Sequence, residues 1–113
     1  MANRDQRPWG WFNTIEESQT YKLKKIKVNP NQQFSLQYHH NRDEHWIIVE
    51  GFGFITLGDQ TFPVRENDSF LIEKNQIHRM KAGPDGIIFY EVQTGICDEE
   101  DIERLEDDYG RTK

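Results

Sequence analysis

Three histidines, two amides and two carboxylates lie within segment 37–46 of this chain, between two apolar segments with strand-like composition. A fourth histidine, His78, follows further along the chain. Neutral imidazole nitrogens and carboxylate oxygens are good ligands for zinc and for other first-row divalent ions. A bound divalent ion stabilises negative charge that develops on a substrate oxygen. The segment therefore predicts a metal centre that is able to support catalysis.

The spacing of the polar side chains decides which of them can meet at one ion. Gln37 and His39 are two residues apart, so they share one face of a strand. Glu44 opens the next strand after a short loop, and His78 opens a later strand. If these strands are neighbours, the four side chains point to one spot inside a rolled sheet. Burying such a polar cluster is costly unless its members pair or bind a metal, so we favour a metal site.

His40 and His45 are one residue out of phase with this face. Strict strand alternation directs both side chains away from the metal. We therefore expect each of these two histidines to face the substrate, to contact a metal-ligating side chain or to be exposed to solvent.

Short segments rich in β-formers follow one another from residue 21 to residue 92, separated by turn residues such as those at 29–31, 58–59 and 83–86. About eight short strands at regular spacing predict an all-β sandwich or closed barrel. Lys22 and Lys27 lie in the first of these strands, where we expect them to be solvated.

The two ends of the chain differ from this strand pattern. We expect an irregular N-terminal arm over residues 1–18, with packed tryptophans, before a barrel over residues 19–94. At the other end, apolar residues at helical spacing predict a short acidic helix over 98–109, with Asp98 as its cap and Gly110 at its end. All three parts belong to a single domain of 113 residues.

Composition restricts the classes of partner and compartment. The net charge is −6, and residues 98–108 hold eight acids and one base, so the chain offers no basic face for nucleic acid. We find neither an apolar stretch of the length that a membrane helix needs nor a secretory signal after Met1. Cys97 is the single cysteine and cannot form an internal disulfide. We therefore expect a cytoplasmic protein with no nucleic-acid or membrane partner.

Segment 37–51 resembles the first cupin motif: Gln37 takes the position of its first histidine, His39 the second, Glu44 the acid and Gly51 the glycine. His78 represents the second cupin motif. More narrowly, the chain is similar to the type II mannose-6-phosphate isomerase family, best known as the C-terminal module of bifunctional mannose-1-phosphate guanylyltransferases. The matching segments cover nearly the whole chain: residues 7–10, 24–26, 35–46, 66–69, 78–79, 91–95 and 106–111.

The chain departs from the family pattern mainly near the second motif. Glu73 and Asn75 replace the proline and glycine that usually precede its histidine, and asparagine tolerates the left-handed conformation that glycine would supply. Ala82 stands where the motif often has asparagine, and the segment after Gly95 is one residue shorter than usual. The sequence contains no guanylyltransferase domain, so we expect a stand-alone cupin.

The resemblance implies a cupin double-stranded β-helix, or jelly-roll barrel, with a divalent metal held by Gln37, His39, Glu44 and His78. It implies interconversion of mannose 6-phosphate and fructose 6-phosphate, with a sugar phosphate as the partner. We expect zinc, with manganese, cobalt, nickel and iron as alternatives. The resemblance and the aromatic N-terminal arm together predict a homodimer.

An aldose–ketose isomerase moves a proton between adjacent carbons, so the site needs a base as well as cations for the phosphate. Glu44, His45, Lys24 and Lys25 all remain candidate bases. Guanidinium groups bind phosphate through two hydrogen bonds, so we expect Arg42, Arg79 and Arg111 to hold the phosphate. We assign catalytic roles to Glu44, His45 and Arg111, and substrate-binding roles to Arg42, Arg79 and Lys24.

Two other functions use the same residues. One is a non-catalytic metal cupin that binds a sugar or sugar phosphate. The other is a metal-dependent oxygenase, which is less favoured because Gln37 replaces a histidine.

Overall fold

The computed structural model describes residues 4–111, and within that range it consists of strands and turns. No helix among these residues is long and apolar enough to cross a membrane. All strand pairings are antiparallel, so the prediction of an all-β fold is confirmed. The strands are β1 (Asp5–Arg7), β2 (Gly10–Glu17), β3 (Tyr21–Val28), β4 (Leu36–Tyr38), β5 (Arg42–Leu57), β6 (Gln60–Arg65), β7 (Ser69–Ile72), β8 (His78–Gly95) and β9 (Glu103–Glu106).

The two longest strands, β5 and β8, organise the fold. They pair with each other along most of their length. β5 also pairs with β6 and β7, whereas β8 pairs with β3 and β4. β2 and β1 extend the sheet beyond β3, and β9 pairs with β4. Both long strands therefore take part in both halves of a rolled sheet, as strands that pass from one sheet to another do at bends and bulges.

Glycines allow the long strands to bend where sequence patterns predict breaks. The pairing of β5 with β8 shifts register next to Gly51, which has a φ of 95°. A Cβ atom at Gly51 would lie 2.4 Å from the carbonyl oxygen of Gly86 in β8. The predicted turn at 83–86 is therefore part of a continuous strand, because a bulge bends a strand without ending it.

Strand alternation fills the interior. In β5, Trp46, Ile48 and Ile55 point inward, and in β8 the same holds for Met80 and Phe89. The rings of Trp46 and Phe89 pack with centroids 4.6 Å apart. One end of this apolar interior carries buried polar side chains instead, and the candidate site lies there: His39, Glu44, His78, Glu91 and Gln93.

The N-terminal arm is not irregular where the structure describes it. β1 pairs with β2, and β2 pairs with β3 of the same chain. Trp9 and Phe12 are buried in the core, so the expected packing of the tryptophans includes Trp9. Residues 1–3 of the predicted arm lie outside the described residues.

The predicted helix over 98–109 is wrong. The segment forms turns followed by β9. Asp98 accepts a hydrogen bond from the Glu100 N–H in a turn, at 3.0 Å, instead of capping a helix. Glu99 and Asp101 bind partners more than 55 positions away in the sequence. These long-range contacts outweigh a helical pattern whose own turns would bring like charges together.

Asn75 confirms the expectation drawn from its departure from the family pattern. Its φ is 66°, in the left-handed region. Its N–H donates to the carbonyl oxygen of His39 at 2.7 Å, which ties the turn before β8 to the end of β4.

Candidate metal centre

Three of the four predicted ligands meet at one point. His39 follows β4, Glu44 lies near the start of β5 and His78 opens β8. Their candidate ligand atoms all lie within 4.8 Å of one another, and all three side chains are buried. The predicted convergence of these side chains is therefore confirmed, and their role as metal ligands stays a prediction.

Main-chain carbonyls orient both imidazole rings. His39 Nδ1 lies 2.7 Å from the carbonyl oxygen of Asp101, and His78 Nδ1 lies 2.8 Å from that of Gln76. A carbonyl can only accept, so each Nδ1 carries the proton and each Nε2 presents a lone pair to the centre. His78 Nε2 is buried and has no hydrogen-bond partner among residues 4–111. An orphaned buried acceptor of this kind fits a missing cation.

The charge states of the three residues also suit a metal. Burial lowers the pKa of His39 to about 4 and also lowers the pKa of His78, so both rings are neutral near pH 7. Burial alone would raise the pKa of Glu44, but the neighbouring His78, His39 and Arg42 outweigh it and lower that pKa. Two neutral imidazoles and one carboxylate form a donor set that fits zinc, iron, manganese, cobalt or nickel.

Glu44 is held on both of its oxygens. Arg42 Nε donates to Oε2 at 2.9 Å, and Trp46 Nε1 donates to Oε1 at 3.0 Å. A second Arg42 nitrogen donates to His39 Nε2 at 3.2 Å, and a third to the carbonyl oxygen of Asp98 at 3.0 Å. A cation that takes the lone pair of His39 must therefore displace one N–H of Arg42.

The fourth predicted ligand, Gln37, lies beside the centre but turns its oxygen away. Its Nε2 is 3.4 Å from His39 Nε2, while its Oε1 accepts the Ser35 hydroxyl at 2.6 Å. Rotation of the amide by half a turn would exchange the two atoms. Gln93, opposite Glu44 in the β5–β8 pairing, has a buried Oε1 with no partner among the described residues.

A cavity of about 280 Å³ opens onto the centre between β3, β8, β9 and the segment before β9. Its size is near the lower end of the range for small-molecule sites. Apart from the polar residues of the centre, its walls carry aromatic and charged side chains: Trp9, Phe12, Phe34, Arg7, Lys24, Arg104, Arg111, Glu99 and Glu100.

The cavity contains some of the predicted site residues and excludes others. Arg42, Lys24 and Arg111 line it. His45 is exposed on the opposite face of β5, because it is one residue out of phase with Glu44. Arg79 is likewise one residue from His78 and lies outside the cavity lining, where it donates to the Phe34 carbonyl oxygen at 2.9 Å. The structure thus keeps His45 and Arg79 away from the centre.

Sequence reasoning missed two buried residues beside the centre, Glu91 and Gln93. Glu91 Oε1 accepts from Trp46 Nε1 at 3.1 Å, and its Oε2 accepts from Gln93 Nε2 at 2.6 Å. Burial and the nearby charge of Glu44 raise the pKa of Glu91 to about 8. A signal was present, since both residues share the two-residue phase of the inward-facing Ile87 and Phe89.

The expectation that Lys22 is solvated is wrong. Lys22 and Lys24 are both buried and both donate to Glu99, at 3.1 Å and 2.7 Å. Burial would raise the pKa of Glu99, but the two lysines lower it to about 2. No local pattern could have found this contact, because the partners are more than 70 positions apart.

A family model described as "Mannose-6-phosphate isomerase C-terminal" matches residues 1–107. The alginate biosynthesis protein AlgA of Pseudomonas aeruginosa is 44% identical over 108 residues, which are 94% of this chain and 22% of that protein. The mannose-1-phosphate guanylyltransferase RfbM of Salmonella typhimurium is 40% identical over 109 residues, or 95% of this chain and 23% of that protein. The chain thus spans less than a quarter of the length of these relatives.

Solved structures share the fold. The cupin domain of Schizosaccharomyces pombe Cnp3 matches with a TM-score of 0.75 and 14% identity, over 82% of this chain and 68% of that chain. A protein with a double-stranded β-helix domain from Klebsiella pneumoniae matches with a TM-score of 0.78 and 16% identity, over 91% and 90% of the two chains. The predicted cupin fold is confirmed.

Proposed function

We propose, from the premise that the chain belongs to the family of mannose-6-phosphate isomerase C-terminal domains, that it is a metal-dependent sugar-phosphate isomerase. Its substrates are mannose 6-phosphate and fructose 6-phosphate or close relatives of them. The observation that carries this proposal is the buried group of His39, Glu44 and His78 at a cavity lined by cations. Burial of two imidazole lone pairs and a carboxylate costs free energy unless a cation or hydrogen-bond donors compensate for the lost hydration.

His39 and His78 would hold the metal through Nε2 and Glu44 through its carboxylate, and rotation of the Gln37 amide beside His39 would turn its oxygen toward the centre. When bound, a divalent ion polarises a carbonyl or hydroxyl oxygen and stabilises the negative charge that proton removal creates. We propose zinc as the ion. Trp46 and Arg42 keep the carboxylate of Glu44 in place through the hydrogen bonds described above.

We assign the movement of the proton to Lys24 and Glu91. They are register partners on β3 and β8, and both side chains line the cavity. Lys24 Nζ donates to Glu99 at 2.7 Å and lies 4.1 Å from the centroid of the Phe12 ring. The ionised form of Glu91 can take the proton that a substrate carbon gives up, and the Lys24 ammonium can donate a proton to the substrate carbonyl oxygen, as general acid–base catalysis requires. His45 is on the wrong face of β5 to do so.

A coupled assay with mannose 6-phosphate and the zinc-loaded protein tests the activity. We expect turnover in the unchanged chain and loss of turnover in Glu44→Ala, with His40→Ala as a matched control at an exposed position. In heavy water, isomerisation should place deuterium on the carbon next to the carbonyl, and Lys24→Met should slow this exchange while the sugar phosphate still binds. Binding without turnover or exchange would instead favour the non-catalytic sugar-phosphate cupin.

A second candidate, an iron-dependent oxygenase, is favoured by one observation. The three groups that meet are two histidines and one carboxylate, whereas the Gln37 oxygen faces Ser35. Two histidines and a carboxylate with open positions are the ligand set of many non-haem iron oxygenases. Oxygen uptake by the protein loaded with ferrous iron, without isomerase turnover, would select this function.

A further inference from the structure

We propose that Arg7, Arg104 and Arg111 form a subsite for the phosphate group of the substrate, on the cavity wall beside the metal centre. The identification of the ligand as a sugar phosphate rests on the proposed function. The prediction that a phosphate group binds here rests on the residues themselves. None of the three was assigned to phosphate from the sequence except Arg111.

The fold places Arg104 next to the centre. β9 pairs with β4, and Arg104 is the register partner of Gln37. Side chains opposite each other in an antiparallel pair lie on the same face with their Cβ atoms about 5 Å apart. Gln37 in turn contacts His39. Gln37 therefore lies between Arg104 and the proposed ligand His39. Arg104 lines the same cavity as Arg7 and Arg111.

The three arginines are close enough to affect one another. Burial lowers the pKa of Arg104, and the positive charges of Arg111 and Arg7 lower it further, against the smaller opposing effect of Asp107 and Glu100. Three like charges on one wall repel each other, and a bound anion would relieve this repulsion.

Three cations of the cavity already have carboxylate partners: Lys24, Arg42 and also Arg111, which belongs to the proposed subsite. Lys24 binds Glu99 at 2.7 Å, and Arg42 binds Glu44 at 2.9 Å. Arg111 binds Asp107 through two of its nitrogens, at 2.9 Å and 3.0 Å. Arg42 and Lys24, to which we assigned substrate binding from the sequence, thus already have carboxylate partners.

Arg104 and Arg7 differ from these cations. The buried Nε of Arg104 has no hydrogen-bond partner among residues 4–111. Arg7 makes a hydrogen bond to the carbonyl oxygen of Gln6 at 2.9 Å and lies 4.8 Å from the centroid of the Phe12 ring. A buried N–H without an acceptor is costly, and a phosphate oxygen would satisfy it.

The chemistry favours a phosphate group over a single carboxylate. Phosphate has several acceptor oxygens and close to two negative charges, so it can bind more than one guanidinium fork at once. The metal centre and the three arginines face the same cavity. This arrangement suits a ligand with carbonyl and hydroxyl oxygens at one end and a phosphate at the other.

Titration calorimetry on the zinc-loaded protein tests the subsite with three probes: mannose 6-phosphate, inorganic phosphate and mannose. The variants are Arg104→Gln and Arg7→Gln, with the exposed Arg65→Gln as matched control. We expect Arg104→Gln to weaken both phosphate-bearing probes by about 10- to 100-fold, as the loss of a charge-assisted contact does. Affinity for mannose and bound zinc should not change, and Arg104→Lys should recover part of the loss.

Unchanged phosphate affinity in both Arg104→Gln and Arg7→Gln would overturn the subsite, and so would a parent protein that binds neither mannose 6-phosphate nor inorganic phosphate. If Arg104→Gln does not fold by circular dichroism, Arg7→Gln on the edge strand β1 decides the question. Phosphate binding that depends on these arginines, without turnover, would contradict the proposed isomerase activity and support the phosphate subsite. Turnover with an unchanged KM for mannose 6-phosphate in both variants would contradict the phosphate subsite and support the isomerase activity.

Discussion

His78 is the residue whose surroundings most clearly call for a ligand. Its Nδ1 donates to a main-chain carbonyl, and its buried Nε2 has no hydrogen-bond partner among residues 4–111 and lies 3.9 Å from Glu44 Oε1. Its ring also packs against Trp46, with centroids 5.6 Å apart. The ring is thus fixed in one orientation before any ion arrives, which favours tight binding.

We therefore expect His78→Ala to lose zinc affinity by more than about 100-fold, because removal of a ligand costs at least as much as removal of a group that only orients one. Metal analysis after dialysis and competition with a chelator would measure this. His40→Ala changes an exposed histidine and should keep its zinc. Equal zinc content in the two variants would show that the metal binds elsewhere.

At the scale of elements, the bend of β5 depends on a glycine. A Cβ at Gly51 would approach the Gly86 carbonyl to 2.4 Å, and its φ of 95° is unfavourable for other residues. We expect Gly51→Ala to reduce the free energy of unfolding by about 3 kcal/mol or more. Gly58→Ala is the control, since its φ is 64° but nothing lies within 4 Å, and it should cost only about 1 to 2 kcal/mol. Urea denaturation would compare them, and similar losses would contradict the close approach.

The segment between β8 and β9 is fastened to the barrel by acids. Glu99 binds Lys22 and Lys24, and Asp101 accepts hydrogen bonds from the main-chain N–H groups of His40 and Asn41, both at 2.9 Å. The charged run that resembles a helix face is therefore a set of specific attachments that close one side of the cavity.

This attachment should depend on pH. The lysines lower the pKa of Glu99 to about 2, against the opposing effect of burial, so its contribution is complete above its ordinary pKa of 4.5. The contribution falls as the pH drops from 4.5 through 2. The protection factors of the amides in residues 96–102, taken relative to intrinsic exchange at each pH, should decrease over this range. In Glu99→Gln the amides of residues 96–102 should be less protected than in the parent already at pH 6. In the control Glu50→Gln, which changes an exposed residue, their protection should equal that of the parent. An identical profile in Glu99→Gln would contradict the role of this ion pair.

For the whole molecule, His39 after β4, Glu44 in β5 and His78 in β8 are brought together only by folding. A metal that binds the native state and not the unfolded chain stabilises the fold by mass action. We expect zinc at about one hundred times its Kd to add about 2.7 kcal/mol to the free energy of unfolding, and a chelator to remove this gain. Thermal unfolding with and without zinc would measure it. The same shift in His78→Ala would show that the stabilisation has another origin.

Sedimentation equilibrium would test the predicted homodimer against the monomer mass of 13.5 kDa. The described part of the N-terminal arm pairs with β3 of its own chain, so the arm gives no separate support to this prediction.

The convergence of His39, Glu44 and His78 could be predicted because each begins or ends a strand and alternation fixes the face on which it lies. The same rule correctly directs His45 outward. The helix over 98–109 was wrong because its acids bind partners that only the folded chain brings near. Alternation places Glu91 on the inward face of its strand, but the neighbours of Glu91 and of Arg104 are set by which strands pair and in what register, which the sequence does not give.

Both imidazoles are steered by carbonyl oxygens of the backbone, at Gln76 and Asp101, and not by side chains. Mutation at either of these positions leaves the steering atom in place so long as the loop keeps its path. Substitutions at Gln76 and Asp101 can therefore change the electrostatics around the two rings without changing which ring nitrogen carries the proton. For the same reason, mutations that accumulate at these two positions should leave both Nε2 lone pairs available to a metal.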